Sequence, residues 1–277
     1  MKPASLKEII EFSKKHQVGI AMFNIVNLEF AQAMYDAAQE TELPVMFGMP
    51  EGFFKYYDVY AMTAACKKYI EKSKVPIAIH LDYGKSFEGV MAAIKAGLSS
   101  VMYDGSSLGY EENVANTAEI VKVAHALGVT VEGELGYIGR ASEEVDSNNF
   151  TKPDQAVDFV KRTGVDALAI AIGNQHGPYR GVPKLDFARL KEIRSKVDCG
   201  LVLHGGSGIS AEDFVEAMRC GINKVNIHTA NELAAQELVK KSFGDYNSFL
   251  EFTQGLTETV KKVIKEHMLI FAKARIS

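Results

Sequence analysis

The stretch VPIAIHLDYGKSFEGVMAAIKAGLSSVMYDG, residues 75–105, contains the unit from which the fold can be predicted. It begins with an apolar run, VPIAIHLD, continues with a helical pattern that ends at Gly97, and returns to a second apolar run, SSVMYDG. Glycine is a common helix stop, and a near-continuous apolar strand indicates burial on both faces. The stretch therefore predicts one strand–helix–strand unit of a parallel sheet covered by helices.

The same alternation extends in both directions along the 277 residues. The apolar runs cover residues 18–24, 44–49, 75–82, 99–105, 129–136, 166–173, 200–206 and 224–230. Eight such units in a chain of this length suit a (β/α)8 barrel. We therefore predict an α/β protein, a single TIM-barrel domain over residues 1–277 with a C-terminal helical extension, ETVKKVIKEHMLIF. A doubly wound sheet is the alternative.

Composition and charge exclude several classes of protein. Apolar residues make up 47% and charged residues 24% of the chain, which is typical of a globular protein. The net charge of -4 and the lack of a basic run argue against a nucleic-acid partner. No apolar run reaches the roughly 20 residues of a membrane helix. The three cysteines lack the spacing of a metal site, so we expect a reduced, cytoplasmic protein.

Polar residues follow the predicted strands at their C-terminal ends, the rim where barrel enzymes carry their catalytic groups. Seven of the eight strands end in this way, with Asn24, Asp82, Tyr83, Asp104, Glu132, Glu134, Asn174, His176, His204, Asn226, His228 and Thr229. A single residue of this kind is ordinarily a helix cap or a solvated loop residue. The whole set, with no counterpart at the opposite rim, predicts an active site.

Imidazoles and carboxylates on one rim predict a divalent metal ion. Zinc binds His nitrogen and Asp or Glu oxygen, and a catalytic zinc keeps one position open for substrate. His176 and His204 follow neighbouring strands and can share one ion. His80 lies on the same side of its strand as Asp82 but one layer deeper, where we expect a supporting hydrogen bond.

The loops after strands seven and eight, GGSG at 205–208 and NIHTA at 226–230, suit an anion. Glycines let backbone N–H groups approach an anion closely, and Ser207 and Thr229 add hydroxyl donors. A phosphate site after these two strands recurs in barrels of this type. We therefore predict a phosphate group in the ligand.

Together these residues resemble the class II, metal-dependent ketose-bisphosphate aldolases, the family that includes fructose- and tagatose-bisphosphate aldolases. The resemblance covers almost the whole chain and rests on AMFNIVNLEFAQA, PIAIHLDYG, VMYDGSSLGYEENV, VEGELGYIG, AIAIGNQHGPYRGVPKLDF, LVLHGGSGI and KVNIHTANEL. It implies a lyase of glycolysis or related carbohydrate metabolism that reversibly cleaves a phosphorylated ketose into dihydroxyacetone phosphate and an aldehyde. It also implies a homodimer or homotetramer.

The resemblance implies roles for the matching residues. Asp82 would act as the acid/base that moves the proton of the C4 hydroxyl, and Glu143 and Glu144 would lie on a mobile loop that takes part in proton transfer. The ligands of the dihydroxyacetone-phosphate half would be Asn24, Gly177, Arg180, Gly205, Ser207, Asn226 and Thr229. The zinc ligands would include His176 and His204, and a second or transient metal position would use Asp104 and Glu134.

The need for a metal follows from the chemistry that the resemblance implies. Breaking a C3–C4 bond beside a ketone leaves an enediolate, whose charge a Lewis-acid metal stabilises. A lysine Schiff base is the alternative electron sink. However, no lysine ends a predicted strand, because Lys224 begins strand eight at the opposite rim and Lys85 lies in a loop where we expect it to be solvated.

One residue departs from the family pattern at the expected metal site. The family has a histidine after the aspartate of strand three, whereas this chain has Tyr83. A phenol has an ordinary pKa of about 10 and must lose its proton to bind a metal well. Three alternatives follow: Tyr83 binds as phenolate, His228 completes the site, or metal affinity and activity are low or lost.

Further departures cluster where the family binds the aldehyde half. Glu232 replaces an arginine that binds the far phosphate, and Pro50 replaces a serine that contacts substrate. A glutamate repels a phosphate dianion, although Arg140 brings a positive charge to the loop after strand five. We therefore predict a substrate that keeps the dihydroxyacetone-phosphate end and differs at the other, from a fructose- or tagatose-bisphosphate-like ketose to a ketose 1-phosphate. A phosphosugar-binding protein without turnover and a metal-dependent isomerase or epimerase are the alternatives.

Overall fold

In the computed structural model, eight parallel strands form a closed barrel whose order follows the sequence. The strands are β1 Ile20–Asn24, β2 Val45–Pro50, β3 Ile77–Gly84, β4 Ser100–Tyr103, β5 Thr130–Leu135, β6 Ala167–Ile170, β7 Gly200–Leu203 and β8 Lys224–Ile227. The barrel closes because β1 pairs with both β2 and β8. The predicted (β/α)8 barrel is confirmed, and the doubly wound alternative is wrong. The structure describes residues 1–144, 146–177, 179 and 181–274, without the side chain of Phe243.

These described ranges contain ten α-helices. They are α1 Leu6–His16, α2 Leu28–Thr41, α3 Val59–Lys72, α4 Phe87–Ala96, α5 Tyr110–Ala126, α6 Pro153–Thr163, α7 Phe187–Lys196, α8 Ala211–Arg219, α9 Thr229–Ser242 and α10 Phe249–Ala272. Polar side chains cap several of their N-termini, as Ser86 does for α4 by accepting a hydrogen bond from the backbone N–H of Gly89. None of these helices is long and apolar enough to span a membrane.

The C-terminal helix, α10, packs against its own barrel. Apolar residues recur along it at helical spacing and are buried, namely Phe252, Leu256, Val260, Ile264, Met268 and Phe271. The helix lies against α2, α8, α9 and β1, and the ring of Phe271 meets that of Phe214 of α8 at a centroid distance of 4.9 Å. The extension therefore covers the outside of the barrel.

The lumen of the barrel is filled by alternate side chains of the strands. Its apolar part joins strand residues to the buried face of α1 at the N-terminal end, through Leu6, Ile9, Ile10, Ile20, Met22, Met46, Ala78, Ala167, Ala169 and Val202. Polar side chains replace these apolar ones towards the C-terminal ends of the strands. The site is therefore built at that rim, above the apolar N-terminal part of the lumen.

Candidate active site

A cavity of about 200 Å³ lies at the C-terminal rim of the barrel. Its lining consists of Asn24, Pro50, Phe53, Asp82, Tyr83, His176, Gly177, Gly205, Gly206, Ser207, Asn226, His228 and Thr229. A larger cavity of about 370 Å³ lies beside α1 at the other end, but its described lining holds no histidine and a single carboxylate, Asp198. The smaller cavity is therefore the one that collects the groups with catalytic chemistry.

Asp82 lies in this cavity between two amides. The Nδ2 atom of Asn24 donates to its Oδ2 at 2.8 Å, and the Nδ2 atom of Asn226 donates to its Oδ1 at 3.1 Å. Burial raises the pKa of Asp82, although neighbouring His204 and Lys224 act in the opposite direction. The Oδ1 atoms of Asn24 and Asn226 have no hydrogen-bond partner among the described residues. The carboxyl group of Asp82, which can carry a proton, therefore lies beside two amide groups whose oxygens are free to accept hydrogen bonds.

Tyr83 enters the cavity through an irregular stretch of backbone. Strict alternation along β3 would turn Tyr83 away from the lumen, because Asp82 already points inward. The pairing of β3 with β4 shifts register between Leu81 and Gly84, and Tyr83 has a φ of 50°. Bulges re-aim side chains near active sites, and a left-handed conformation is strained for a tyrosine. The bulge therefore brings the phenol into the site.

The Tyr83 hydroxyl lies between the two predicted metal-binding histidines. Its oxygen is 2.6 Å from Nδ1 of His204 and 3.2 Å from Nε2 of His176. The centroids of the two imidazoles are 6.3 Å apart, with their planes nearly perpendicular. Burial lowers the pKa of His176 to about 4, and burial together with nearby carboxylates raises the pKa of Tyr83 well above its ordinary value. At neutral pH His176 is therefore neutral and Tyr83 carries its proton.

The two carboxylates of the predicted second metal position differ in their surroundings. Asp104 accepts hydrogen bonds from the backbone N–H and hydroxyl of Ser106 and forms an ion pair with Lys85. Burial favours its neutral form, but these contacts outweigh burial and hold the pKa of Asp104 below its ordinary value. Burial and Asp104 raise the pKa of Glu134 well above its ordinary value, and its Oε2 has no partner in the described chain. The side chain of Lys85 is 55% exposed, as expected of a loop lysine, and it also pairs with Asp104.

Glycines and hydroxyls form one wall of the cavity. Gly205 has a φ of 69°, and a Cβ there would lie 2.1 Å from the backbone oxygen of Gln175, so only glycine fits. Ser207 accepts a hydrogen bond from the backbone N–H of Ala230, which ties the loops after β7 and β8 together. Thr229 begins α9, and the N-terminus of a helix favours an anion. This wall therefore has the chemistry of a phosphate cradle.

A second part of the lining, which we call the aromatic wall, is formed by ring side chains. Pro50, Phe53 and His228 line it, and the rings of Phe53 and His228 lie 5.6 Å apart. Burial lowers the pKa of His228, while Glu232 and Asp82 act in the opposite direction. The ring contact of His228 is thus with Phe53, whereas Tyr83 contacts the imidazoles of both His176 and His204. Tyr83 rather than His228 therefore stands beside them.

The loop after β5 is joined to the site but does not bring its acidic residues into the cavity. The backbone of His176 donates to the Gly139 carbonyl at 2.8 Å, and its own carbonyl accepts from Ala141 at 2.7 Å. Glu143 accepts hydrogen bonds within the loop, from the backbone of Arg140 and the hydroxyl of Tyr137. Glu143 and Glu144 line a separate cavity of about 450 Å³. Arg180, the remaining predicted substrate ligand, lies outside the described residues.

The sequence did not predict the buried ion pair beneath the cavity. Lys224 begins β8, but its fully buried side chain lies in the lumen, not at the opposite rim, and its Nζ is 2.9 Å from Oε2 of Glu132. Burial opposes ionisation, but Lys224, His204 and His80 together outweigh it and hold the pKa of Glu132 well below its ordinary value. The alternation of side chains along a strand could have indicated this pair. Glu132 precedes Glu134 by two residues and Lys224 precedes Asn226 by two, so each points to the same side of its strand as the rim residue that follows it.

The imidazoles of His176 and His204 fit a divalent cation. Neutral imidazole nitrogen is a good ligand for such ions, and the oxygen of Tyr83 is close to both rings. Within the described ranges, no group of three or more His, Cys, Asp or Glu side chains is arranged to hold a metal ion. A third protein donor would therefore be the Tyr83 oxygen, after loss of its proton.

Comparisons with known proteins show which family and which fold this chain matches. The family model described as fructose-bisphosphate aldolase class-II matches residues 4–275. The fructose-bisphosphate aldolase of Staphylococcus aureus is 40% identical over 275 residues, which covers 95% of this chain and 96% of that protein. The fructose-bisphosphate aldolase of Geobacillus stearothermophilus is 41% identical over 246 residues, 87% of this chain and 86% of that protein. The structure of the YdjI aldolase from Escherichia coli K12 matches with a TM-score of 0.89 and 36% identity, covering 98% of this chain and 97% of that one.

Proposed function

This chain belongs to the class II fructose-bisphosphate aldolase family of aldehyde-lyases, and from that membership we propose that it cleaves a phosphorylated ketose reversibly into dihydroxyacetone phosphate and an aldehyde. The observation that carries the proposal is the position of Asp82. Its carboxylate lies between the amides of Asn24 and Asn226, in one cavity with two imidazoles and a glycine-rich wall.

Asp82 is the proposed acid/base. Cleavage of the C3–C4 bond requires the C4 hydroxyl to lose its proton, and the reverse reaction returns it. Burial raises the pKa of Asp82, which brings its protonation closer to the working pH of a general acid/base. The amides of Asn24 and Asn226 fix its orientation, and their free Oδ1 atoms can accept hydrogen bonds from sugar hydroxyl groups.

His176, His204 and Tyr83 are the proposed holders of a divalent cation, which is Zn²⁺ because imidazole nitrogen suits that ion. When bound, such an ion supplies a Lewis acid that stabilises the negative charge developing on the ketone half of the substrate. The neutral state of His176 supports this role, because a protonated imidazole cannot bind a cation. Glu134, with its unpartnered Oε2, is better suited to a second or transient position than Asp104, which Lys85 already neutralises.

The glycine-rich wall is the proposed site of the phosphate of the dihydroxyacetone-phosphate half. Gly177, Gly205, Ser207 and Thr229 line it, and the N-terminus of α9 adds its favourable dipole. Arg180 remains a proposed ligand of the same phosphate. A role for Glu143 or Glu144 in proton transfer would require the loop after β5 to move towards Asp82.

The aromatic wall supports a substrate without a second phosphate. Pro50, Phe53 and His228 give the aldehyde half a surface of ring side chains, and the carboxylate of Glu232 acts electrostatically on His228. A dianion there would meet repulsion from Glu232. A ketose 1-phosphate is therefore favoured over a ketose bisphosphate.

An assay of dihydroxyacetone phosphate release tests this proposal. The purified chain is incubated with ketose 1-phosphates and ketose bisphosphates, and the product is reduced by an NADH-dependent dehydrogenase. We expect turnover that disappears after EDTA treatment and in Asp82→Asn, and that survives in Asp154→Asn, whose side chain is 95% exposed on α6. Binding without turnover, or proton exchange with D2O without release of an aldehyde, would contradict the proposal and favour a binding protein or an isomerase.

A further inference from the structure

Three buried side chains, those of Lys224, Glu132 and His204, form a chain of contacts that runs from the lumen to the cavity. Nζ of Lys224 lies 2.9 Å from Oε2 of Glu132, and Oε1 of Glu132 lies 2.8 Å from Nε2 of His204. His80 is a neighbour of Glu132, and its Nδ1 lies 2.8 Å from the hydroxyl oxygen of Ser100. The side chains of His80, Glu132, His204 and Lys224 are all fully buried. These side chains are therefore shielded from bulk solvent.

The direction of each bond follows from the groups that form it. An ionised carboxylate only accepts hydrogen bonds, so Nε2 of His204 donates to Glu132 and carries a proton. In neutral His204 the other nitrogen, Nδ1, then has a free lone pair. The hydroxyl of Tyr83 lies 2.6 Å from Nδ1 and is the donor to it. Glu132 thus determines which nitrogen of His204 faces the cavity.

Lys224 determines which oxygen of Glu132 is available. Its ammonium holds Oε2 and leaves Oε1 for His204. His80 does not compete for Oε2, because its Nε2 is 3.7 Å away, beyond hydrogen-bond distance. A buried ion pair adds little net stability compared with apolar residues of the same volume. Its presence directly under the site therefore points to a role in orienting His204.

We propose that Glu132 and Lys224 are positioning residues that hold His204 in the form protonated at Nε2, with its bare Nδ1 directed at Tyr83 and the cavity. This inference rests on the proposed function only in that it takes His204 to serve the reaction. A carboxylate that orients an imidazole in this way is a recurrent supporting feature of sites in which histidine is a ligand.

Nuclear magnetic resonance of the full chain labelled with ¹⁵N-histidine tests the inference. Long-range ¹H–¹⁵N spectra distinguish a protonated ring nitrogen from a bare one, and comparison with His204→Gln assigns the signals of His204 among the seven histidines. We expect Nε2 of His204 to be protonated in the parent chain. The double variant Glu132→Leu/Lys224→Met removes both charges together, so that neither charge is left buried alone, and should lose this preference.

The control variant is Ser100→Ala, which removes the partner of His80 and leaves the contact between Glu132 and Lys224 in place. It should change the signals of His80 and leave those of His204 protonated at Nε2. In the double variant, kcat/KM should fall by about 10- to 100-fold, mainly through kcat, while the thermal unfolding transition stays cooperative.

The outcomes separate this inference from the proposed function. A parent chain with Nδ1 protonated, or a folded double variant that keeps the Nε2-protonated form, would overturn the positioning role whatever the activity. If the parent chain has no lyase activity but the double variant loses the Nε2-protonated form, the proposed function fails and the positioning role stands.

Discussion

The hydroxyl oxygen of Tyr83 lies 2.6 Å from Nδ1 of His204, although 121 residues separate the two along the chain. The same oxygen is 3.2 Å from Nε2 of His176. A phenol therefore stands beside both imidazoles that would share a cation. The properties of any metal bound there depend on this one oxygen.

Replacement of Tyr83 tests its part in metal binding. Tyr83→His supplies an imidazole that needs no ionisation at neutral pH, so we expect zinc to bind about tenfold more tightly or better. Tyr83→Phe keeps the ring and removes the oxygen, so zinc should bind about tenfold more weakly. Competition with a chromophoric chelator measures both dissociation constants. If Tyr83→Phe binds zinc as tightly as the parent chain, Tyr83 is not a ligand.

The lowered pKa of His176 predicts a loss of stability in acid. Burial lowers this pKa from 6.5 to about 4, so between these values the unfolded chain binds a proton that the folded chain does not. The contribution of neutral His176 to the free energy of unfolding is therefore complete above pH 6.5 and is lost as the pH falls towards 4. From pH 7 to pH 5 the free energy of unfolding should fall by about 2 kcal/mol through this group.

The matched control for that measurement is His176→Gln, which stays neutral in both states. Urea denaturation of the metal-free parent and variant at the two pH values gives the difference, because other titrating groups are common to both. An equal pH dependence in the two proteins would show that His176 does not titrate as its burial implies.

Two glycines of the phosphate wall form a matched pair for a second stability prediction. Gly205 and Gly177 both have a positive φ, of 69° and 90°. A Cβ at Gly205 would lie 2.1 Å from the backbone of Gln175, whereas at Gly177 no atom of the described residues lies within 4 Å. Both alanine variants incur backbone strain, so Gly205→Ala should destabilise the chain by about 2 kcal/mol more than Gly177→Ala, through the clash alone. Equal unfolding free energies would contradict this geometry.

The barrel and most of its rim could be predicted from sequence because both follow from local patterns. Apolar runs and glycine stops mark the strand–helix units, and residues such as Asp82 and His204 lie at strand ends, where the fold brings them together. The bulge at Tyr83 could not be predicted, since a shift of register depends on how β3 meets β4.

Contacts across the lumen of the barrel could not be predicted from the sequence either. The pair of Glu132 and Lys224 joins residues 92 positions apart, and a lysine at the start of a strand ordinarily indicates solvent. Lys85 lies in the loop after β3, so its sequence position indicated solvent but not its pairing with Asp104. Long, flexible cations reach partners that spacing along one strand does not reveal.

Glu232 offers a test of what the aromatic wall excludes. Its carboxylate acts on His228, which lines the cavity, and a negative charge near His228 disfavours a second phosphate there. Glu232→Arg should therefore raise kcat/KM for a ketose bisphosphate relative to the matching ketose 1-phosphate by about tenfold, which corresponds to about 1.4 kcal/mol.

The control variant Glu232→Gln removes the repulsion without adding attraction and should give a smaller increase in the same ratio. The ratio is measured by release of dihydroxyacetone phosphate from both substrates at the same ionic strength. In Glu232→Arg it should shrink when both assays are repeated at higher salt, because salt screens charges. An unchanged ratio in both variants would mean that the aldehyde half does not extend towards Glu232, and that the preference for one phosphate has another origin.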